Sequence, residues 1–180
     1  MENNNKTRVI TGKVRFSYLN AWEPKSINGG DEKFSVSLII SKDDIKTLSD
    51  VKAAIEAAKQ EGKAKLGGKI AGNLKLPLRD GDAERPDDEA YKNSYFINAN
   101  SKDRPQIVDK NVKHILNQEE LYSGCYGRAS ITFYAFNQNG NKGIACGLNN
   151  LQKLSDAEPL SGRSRASDDF TSLDDDDFLG

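Results

Sequence analysis

The chain has 180 residues, enough for one domain with a substantial core and extensions. Its formal charge of −1 hides a split: residues 156–180 hold eight acids against Arg163 and Arg165, a net −6, which leaves the remainder at +5. There is no apolar run of the ~18 residues that suggest a membrane span, no apolar stretch of a signal peptide behind the polar N-terminus, and too few cysteines for a disulfide scaffold, a combination that points to the cytosol.

A mildly basic body joined to an acidic tail is an asymmetry that points to nucleic acid. In chain order, Val9 to Leu19 alternates, with Ile10, Val14, Phe16 and Tyr18 on one side and Thr11, Lys13, Arg15 and Ser17 on the other. That spacing predicts a half-buried strand with a basic outer face. Trp22, Pro24 and Asn28-Gly29-Gly30-Asp31 read as a loop. Lys33 to Ile40 repeats the alternation, with Phe34, Val36, Leu38 and Ile40 inward. Ser41-Lys42-Asp43-Asp44 then opens a helix, with Ser41 as N-cap and Asp44 three residues on, as in a capping box. Ile45, Leu48, Val51, Ile55 and Ala58 mark its apolar face, and Gly62 closes it.

Gly62 to Glu89 is irregular, with a short apolar piece from Leu74 to Leu78 and an acidic loop from Asp80 to Glu89. Short strands are expected at Ser94–Ala99 and Gln106–Asp109 around the basic turn Lys102-Asp103-Arg104-Pro105, and a helical turn at Asn117–Leu121. Tyr126 to Leu148 reads as a hairpin turning at Asn139-Gly140. This register sets Phe133 against Cys146, out of reach of Cys125, and gathers Ala129, Ile131, Phe133, Ile144, Cys146 and Leu148 on an apolar side. The other side holds Arg128, Ser130, Thr132, Tyr134 and Phe136 against Gly143, Ala145 and Gly147, partners too small to obstruct the aromatics. Strands outnumber helices and do not alternate with them. A small β-barrel with one helical insertion therefore fits better than a doubly wound sheet.

Catalytic chemistry finds little purchase. His114 stands alone, no Cys/His spacing resembles a zinc site, and no glycine-rich phosphate cradle or nucleophile elbow is present. Asp80, Asp82, Asp87, Asp88 and Glu89 are the residue type that Mg²⁺ prefers, but Gly81 and Pro86 break the loop, which reads as a solvated acidic segment. The expectation is no catalytic residue, metal or cofactor. A binding surface remains. Single-stranded nucleic acid calls for cations along its backbone and aromatic faces for its bases. Lys13, Arg15, Trp22, Lys102, Arg104, Arg128, Tyr134 and Phe136 supply those types.

Three stretches carry a resemblance. They are Tyr95-Phe96-Ile97-Asn98-Ala99-Asn100-Ser101-Lys102-Asp103-Arg104-Pro105-Gln106-Ile107-Val108-Asp109, Gly124-Cys125-Tyr126-Gly127-Arg128-Ala129-Ser130 and Gly143-Ile144-Ala145-Cys146-Gly147-Leu148. With them the chain resembles the phage-encoded single-stranded DNA-binding proteins. Its ending, Asp174, Asp175, Asp176, Asp177 and Phe178 before Leu179-Gly180, is similar to the acidic, aromatic-tipped tails of other single-strand binders.

The resemblance implies a mainly β protein: an OB-fold-like five-stranded barrel with one amphipathic helix insertion over residues 1–155, and a disordered acidic tail over 156–180. It implies sequence-independent coating of single-stranded DNA in phage replication, recombination and repair, in the cytoplasm of the infected bacterial host. The tail would recruit a polymerase, helicase or recombinase and compete for the DNA groove; a homodimer is compatible with the reading. The competing readings are a non-enzymatic virion or host-interaction protein that binds no DNA, and a carboxylate/Mg²⁺ nuclease at the acidic loop.

Overall fold

Period-two burial builds most of the chain, which a computed structural model describes for residues 5–26, 29–160, 170, 171 and 173. The tail residues Asp174 to Phe178 lie outside the described residues.

The single strand expected from Val9 to Leu19 is two, β1 (Arg8–Ile10) and β2 (Val14–Ser26). Thr11 folds inward between them, accepting from the Ala129 N–H at 3.0 Å while its hydroxyl donates to the Gly12 carbonyl. The break resets the alternation. Val9, Val14 and Phe16 are buried, whereas Ile10 is 47% exposed. At Tyr18 the backbone turns to φ +46° and the register with the next strand slips, so Tyr18 faces solvent instead of the core. Trp22 lies in β2 rather than in a loop. In β3 (Glu32–Ser41) the expected inward residues Phe34, Val36, Leu38 and Ile40 are all buried.

Helix α1 (Ile45–Glu61) is capped by Asp44, whose carboxylate accepts from the Thr47 N–H at 3.2 Å; Ser41 instead accepts from the Asp43 N–H. The shift leaves Ile45 at the first helical position, 76% exposed, while Leu48, Val51, Ile55 and Ala58 bury their face against β1 and the two strands over residues 126–138 and 141–155. The remaining elements are β4 (Arg79–Asp80), α2 (Gly81–Glu84), a 3-10 turn (Glu89–Tyr91), β5 (Ser94–Ser101), β6 (Gln106–Val108), a second 3-10 turn (Gln118–Glu120), β7 (Tyr126–Gln138) and β8 (Asn141–Ser155). The β7–β8 hairpin has the expected register at Phe133↔Cys146 and Ile131↔Leu148, before a bulge shifts Ser130 to Asn150. Asn139 and Gly140 both take positive φ, +54° and +86°, as a two-residue hairpin turn requires.

Five strands close on themselves in the order β2-β3-β5-β8-β7. All neighbours are antiparallel except β5 and β8, which run parallel through Asn100↔Gly147. This is the order of an OB-type Greek-key ring. Its closures are thin, one residue pair at β5–β8 and two at β2–β7, so it is a partly open ring rather than an evenly bonded barrel. Its interior holds Phe16, Val36, Leu38, Ile97, Ile131, Phe133 and Leu148. Cys125 and Cys146 are buried and unbridged, and burial raises both thiols above their ordinary range.

A second, smaller apolar cluster sits outside the ring. Ile39, Tyr91 and Phe96 meet there with Ala90 and Leu160 against them. Tyr91 and Phe96 pack edge to face at 5.1 Å, and the Tyr91 hydroxyl donates to Ser37 Oγ at 3.0 Å. The chain continues past β8 to reach this cluster. The Tyr122 hydroxyl meets Asp156 at 2.8 Å, Arg15 Nη2 donates to the Glu158 carbonyl at 2.8 Å, and the Leu160 N–H donates to Ser123 O at 2.8 Å.

Candidate nucleic-acid interface

Strand register alone assembles one outer surface. Because Val36, Leu38, Ile97 and Ala99 point inward, Ser35 of β3 faces outward opposite Asn100 of β5, and Ser37, opposite Asn98, points the same way but is buried with its hydroxyl bonded to Tyr91. Asn100 pairs with Gly147, and along β8 Ala145 and Gly143 lie opposite Tyr134 and Phe136. The floor is thus serine, asparagine, glycine and alanine, with aromatics along one side. A hollow of about 580 Å³ opens there, lined among others by Lys75, Arg79, Asn98, Asn100, Phe136 and Ala145. Toward β2 the same outward positions lead to a second hollow of about 310 Å³ bordered by Ser17, Tyr18, Asn20 and Lys25. Asn20 Nδ2 donates to Ser35 Oγ at 3.2 Å and joins the two floors. This surface is the trough.

The irregular stretch after α1 supplies its wall. Lys75 lies on β8 through Lys75 N–H to Lys142 O (3.1 Å) and Ile144 N–H to Lys75 O (2.8 Å). Residue 143 has to be glycine for this, because a Cβ there would come 2.4 Å from the Lys75 carbonyl oxygen. Further on, Lys42 at the end of β3 holds Asp80 at 2.9 Å and Asp82 at 2.7 Å. The acidic loop is therefore partly paired rather than simply solvated. Asp80 also caps α2, and Asp88 caps the turn at Glu89–Tyr91. Among the described residues no group of three or more His, Cys, Asp or Glu is placed to hold a metal ion.

Hydrogen bonds to Asp82 and Asp80 hold the Lys42 ammonium well above its ordinary pKa, and the same bonds hold both carboxylates below theirs. A depressed carboxylate contributes stability above its unfolded pKa and loses it as pH falls through the folded value. Acidification from neutrality to about pH 3 is accordingly expected to lower amide-exchange protection across residues 79–93 before the ring strands. Lys42→Met should show that low protection already at neutral pH; equal protection in both proteins would remove the clamp.

The expected site residues fall into groups. Tyr134, 45% exposed with its phenol raised by burial, and half-buried Phe136 both stand on the trough. Arg128 extends from β7 but donates Nε to Thr11 O at 3.0 Å. Lys13 and Arg15 flank the Tyr126 ring at 5.0 and 5.6 Å. Arg15 is largely committed, since Nε donates to Gly124 O at 2.9 Å and Nη2 to Glu158 O. Trp22 donates Nε1 to Leu121 O at 3.0 Å and shares with Arg104 a separate hollow of about 250 Å³. Arg104 lies 5.5 Å from the Phe34 ring, and Lys102 is exposed on the same turn. Sequence reasoning did not single out Ser35, Lys75, Arg79, Asn98 or Asn100, which the fold brings to this face. The one available signal was the polar alternation of Asn98 and Asn100 in β5.

Residues 7–179 match the family described as "Enterobacter phage Enc34, ssDNA-binding protein". Protein p50 of Acyrthosiphon pisum secondary endosymbiont phage 1 is 28% identical over 184 residues, covering 96% of this chain and 98% of that protein. Among solved structures, the single-stranded DNA-binding protein from bacteriophage Enc34 in complex with ssDNA superposes with a TM-score of 0.78 at 25% identity, over 89% of this chain and 96% of that one. The gp2.5 single-stranded DNA-binding protein of bacteriophage T7 shares the fold, with a TM-score of 0.59 at 13% identity over 88% of this chain and 97% of that one.

Proposed function

We propose that this chain, which belongs to the family of the Enterobacter phage Enc34 ssDNA-binding protein, coats single-stranded DNA along the trough, without sequence preference and without catalysing a reaction. The observation that carries the reading is the coincidence on one face of Tyr134 and Phe136, the amides of Asn98 and Asn100, and the cation Lys75, with Arg79 beside them in a salt bridge to Glu84. Exposed rings stack bases of any identity, and lysine and arginine track phosphates. The small floor residues let a strand approach closely. The relative solved with ssDNA supports the same ligand. Trp22, Lys102 and Arg104 then act as flanking contacts, as do Lys13, Arg15 and Arg128 at the β2–β7 side.

The setting is phage DNA replication, recombination and repair in the cytoplasm of the infected bacterium. There the acidic tail, Asp174 to Asp177 with Phe178, recruits a polymerase, helicase or recombinase and competes with DNA for the trough. Fluorescence anisotropy of a labelled oligo-dT against a duplex of equal length tests the core of this reading. A single-strand preference that weakens steeply with salt is expected; no single-strand preference would favour the host-interaction reading instead.

The tail is tested by truncation after Leu160, which keeps the bonded segment 156–160. Its net negative charge is tethered beside the trough, so removal is expected to tighten oligo-dT binding about tenfold at low salt. The gap should close as salt rises. Equal affinity of the two proteins at low salt would rule out self-competition.

A further inference from the structure

Two side chains at the β2 end of the trough carry features that packing does not explain. Tyr18 holds φ +46°, a left-handed backbone that costs energy for a bulky residue. Its ring is nevertheless 59% exposed. The Arg85 guanidinium stands 5.3 Å from that ring, 5.0 Å from Tyr91 and 5.0 Å from Phe96. Its Nε is shut off from solvent without a hydrogen bond, the one such buried side-chain atom among the described residues, and no described acid pairs with the guanidinium. Asp88, the acid in the lining of the hollow beside Tyr18, accepts the Ala90 N–H at 3.1 Å.

An arginine held by rings rather than by a carboxylate is positioned without being neutralised. Its full charge and its two terminal amino groups stay available to an oxyanion, while Nε is enclosed. Packing alone needs neither feature: glycine at 18 would relieve the backbone, and an uncharged chain at 85 would cover the same rings.

We propose that Tyr18 and Arg85 form a nucleotide grip, in which Arg85 binds a backbone phosphate and Tyr18 stacks the adjacent base on its open face. Asn20 and Lys25 border the hollow that Tyr18 lines and flank the bound nucleotide. The proposal rests on the single-stranded DNA reading above and extends the DNA path from the Tyr134/Phe136 side across β3 to β2.

Tyr18→Gly and Arg85→Gln in the full chain test it, by anisotropy with labelled oligo-dT over a salt series and by urea unfolding. Tyr18→Gly is expected to weaken binding about tenfold with its urea midpoint unchanged or raised, because glycine accepts the left-handed backbone. A residue that served packing alone would lose stability and keep affinity. Arg85→Gln is expected to weaken binding about tenfold and to flatten the log affinity against log salt slope by roughly 0.7, one phosphate contact. Wild-type affinity and slope in both variants would overturn the grip while leaving the DNA reading intact. Failure of the wild-type chain to bind oligo-dT would overturn the DNA reading and the grip together. Should Arg85→Gln fail to fold, the Tyr18→Gly affinity decides alone.

Discussion

Replacing Tyr134 and Phe136 together with alanine is expected to weaken oligo-dT binding about a hundredfold, since each stacked base contributes about 1–3 kcal/mol. The fold should survive, because both rings project from the outer face of β7 and neither belongs to the ring core. Their cross-strand partners Ala145 and Gly143 are small, so truncation opens space on the surface rather than a cavity inside. The matching experiment at the other hollow separates two paths for the strand. Lys102→Ala with Arg104→Ala removes exposed cations and is expected to cost less than tenfold, mainly as a shallower salt dependence. If the double aromatic variant bound like wild type and the Lys102/Arg104 variant did not, the DNA would cross the Trp22 hollow instead.

The hairpin was the most legible part of the fold. Asn139-Gly140 sets its turn, the turn sets its register, and the register separates Phe133 from Tyr134 before any coordinate is known. Phe34, Val36, Leu38 and Ile40 were legible for the same period-two reason. The first strand misled because Thr11 and Tyr18 each reset the alternation. Thr11 does so through a hydrogen bond to Ala129, more than a hundred residues away, and Tyr18 through a backbone flip that its residue type argues against. Nothing local to residues 9–19 announces either event. The trough itself was only half visible. Tyr134 and Phe136 follow from the hairpin, but their neighbours Asn98, Asn100 and Arg79 arrive through the β5–β8 closure and the wall segment, which are tertiary contacts. Arg15 shows the converse. Its residue type suited DNA, yet Nε donates to Gly124 O and Nη2 holds the 156–160 segment to the body.

Phe96→Ala and Phe133→Ala should both be costly and should part company on DNA. Each ring is fully buried, and emptying such a site costs about 3–5 kcal/mol, a large share of the about 5–15 kcal/mol that holds a domain together. Phe133 lies in the large ring core, so its loss falls on the whole domain and lowers the urea midpoint cooperatively. Phe96 lies in the small outer cluster with Ile39 and Tyr91, and the Arg79 and Arg85 guanidiniums stand 5.4 and 5.0 Å from its ring. A satellite cluster with few partners opens locally before the domain unfolds. In Phe96→Ala, residues 79–93 are therefore expected to lose amide-exchange protection first, releasing the trough wall and the surface that seats Leu160. Oligo-dT affinity should then fall at least tenfold at a temperature where both variants are folded, while Phe133→Ala binds within a factor of about two of wild type. Equal affinities would show that the outer cluster braces the sheet without shaping the DNA path. A selective loss in Phe96→Ala would place the energetic support of the interface in that cluster, outside the ring that defines the fold.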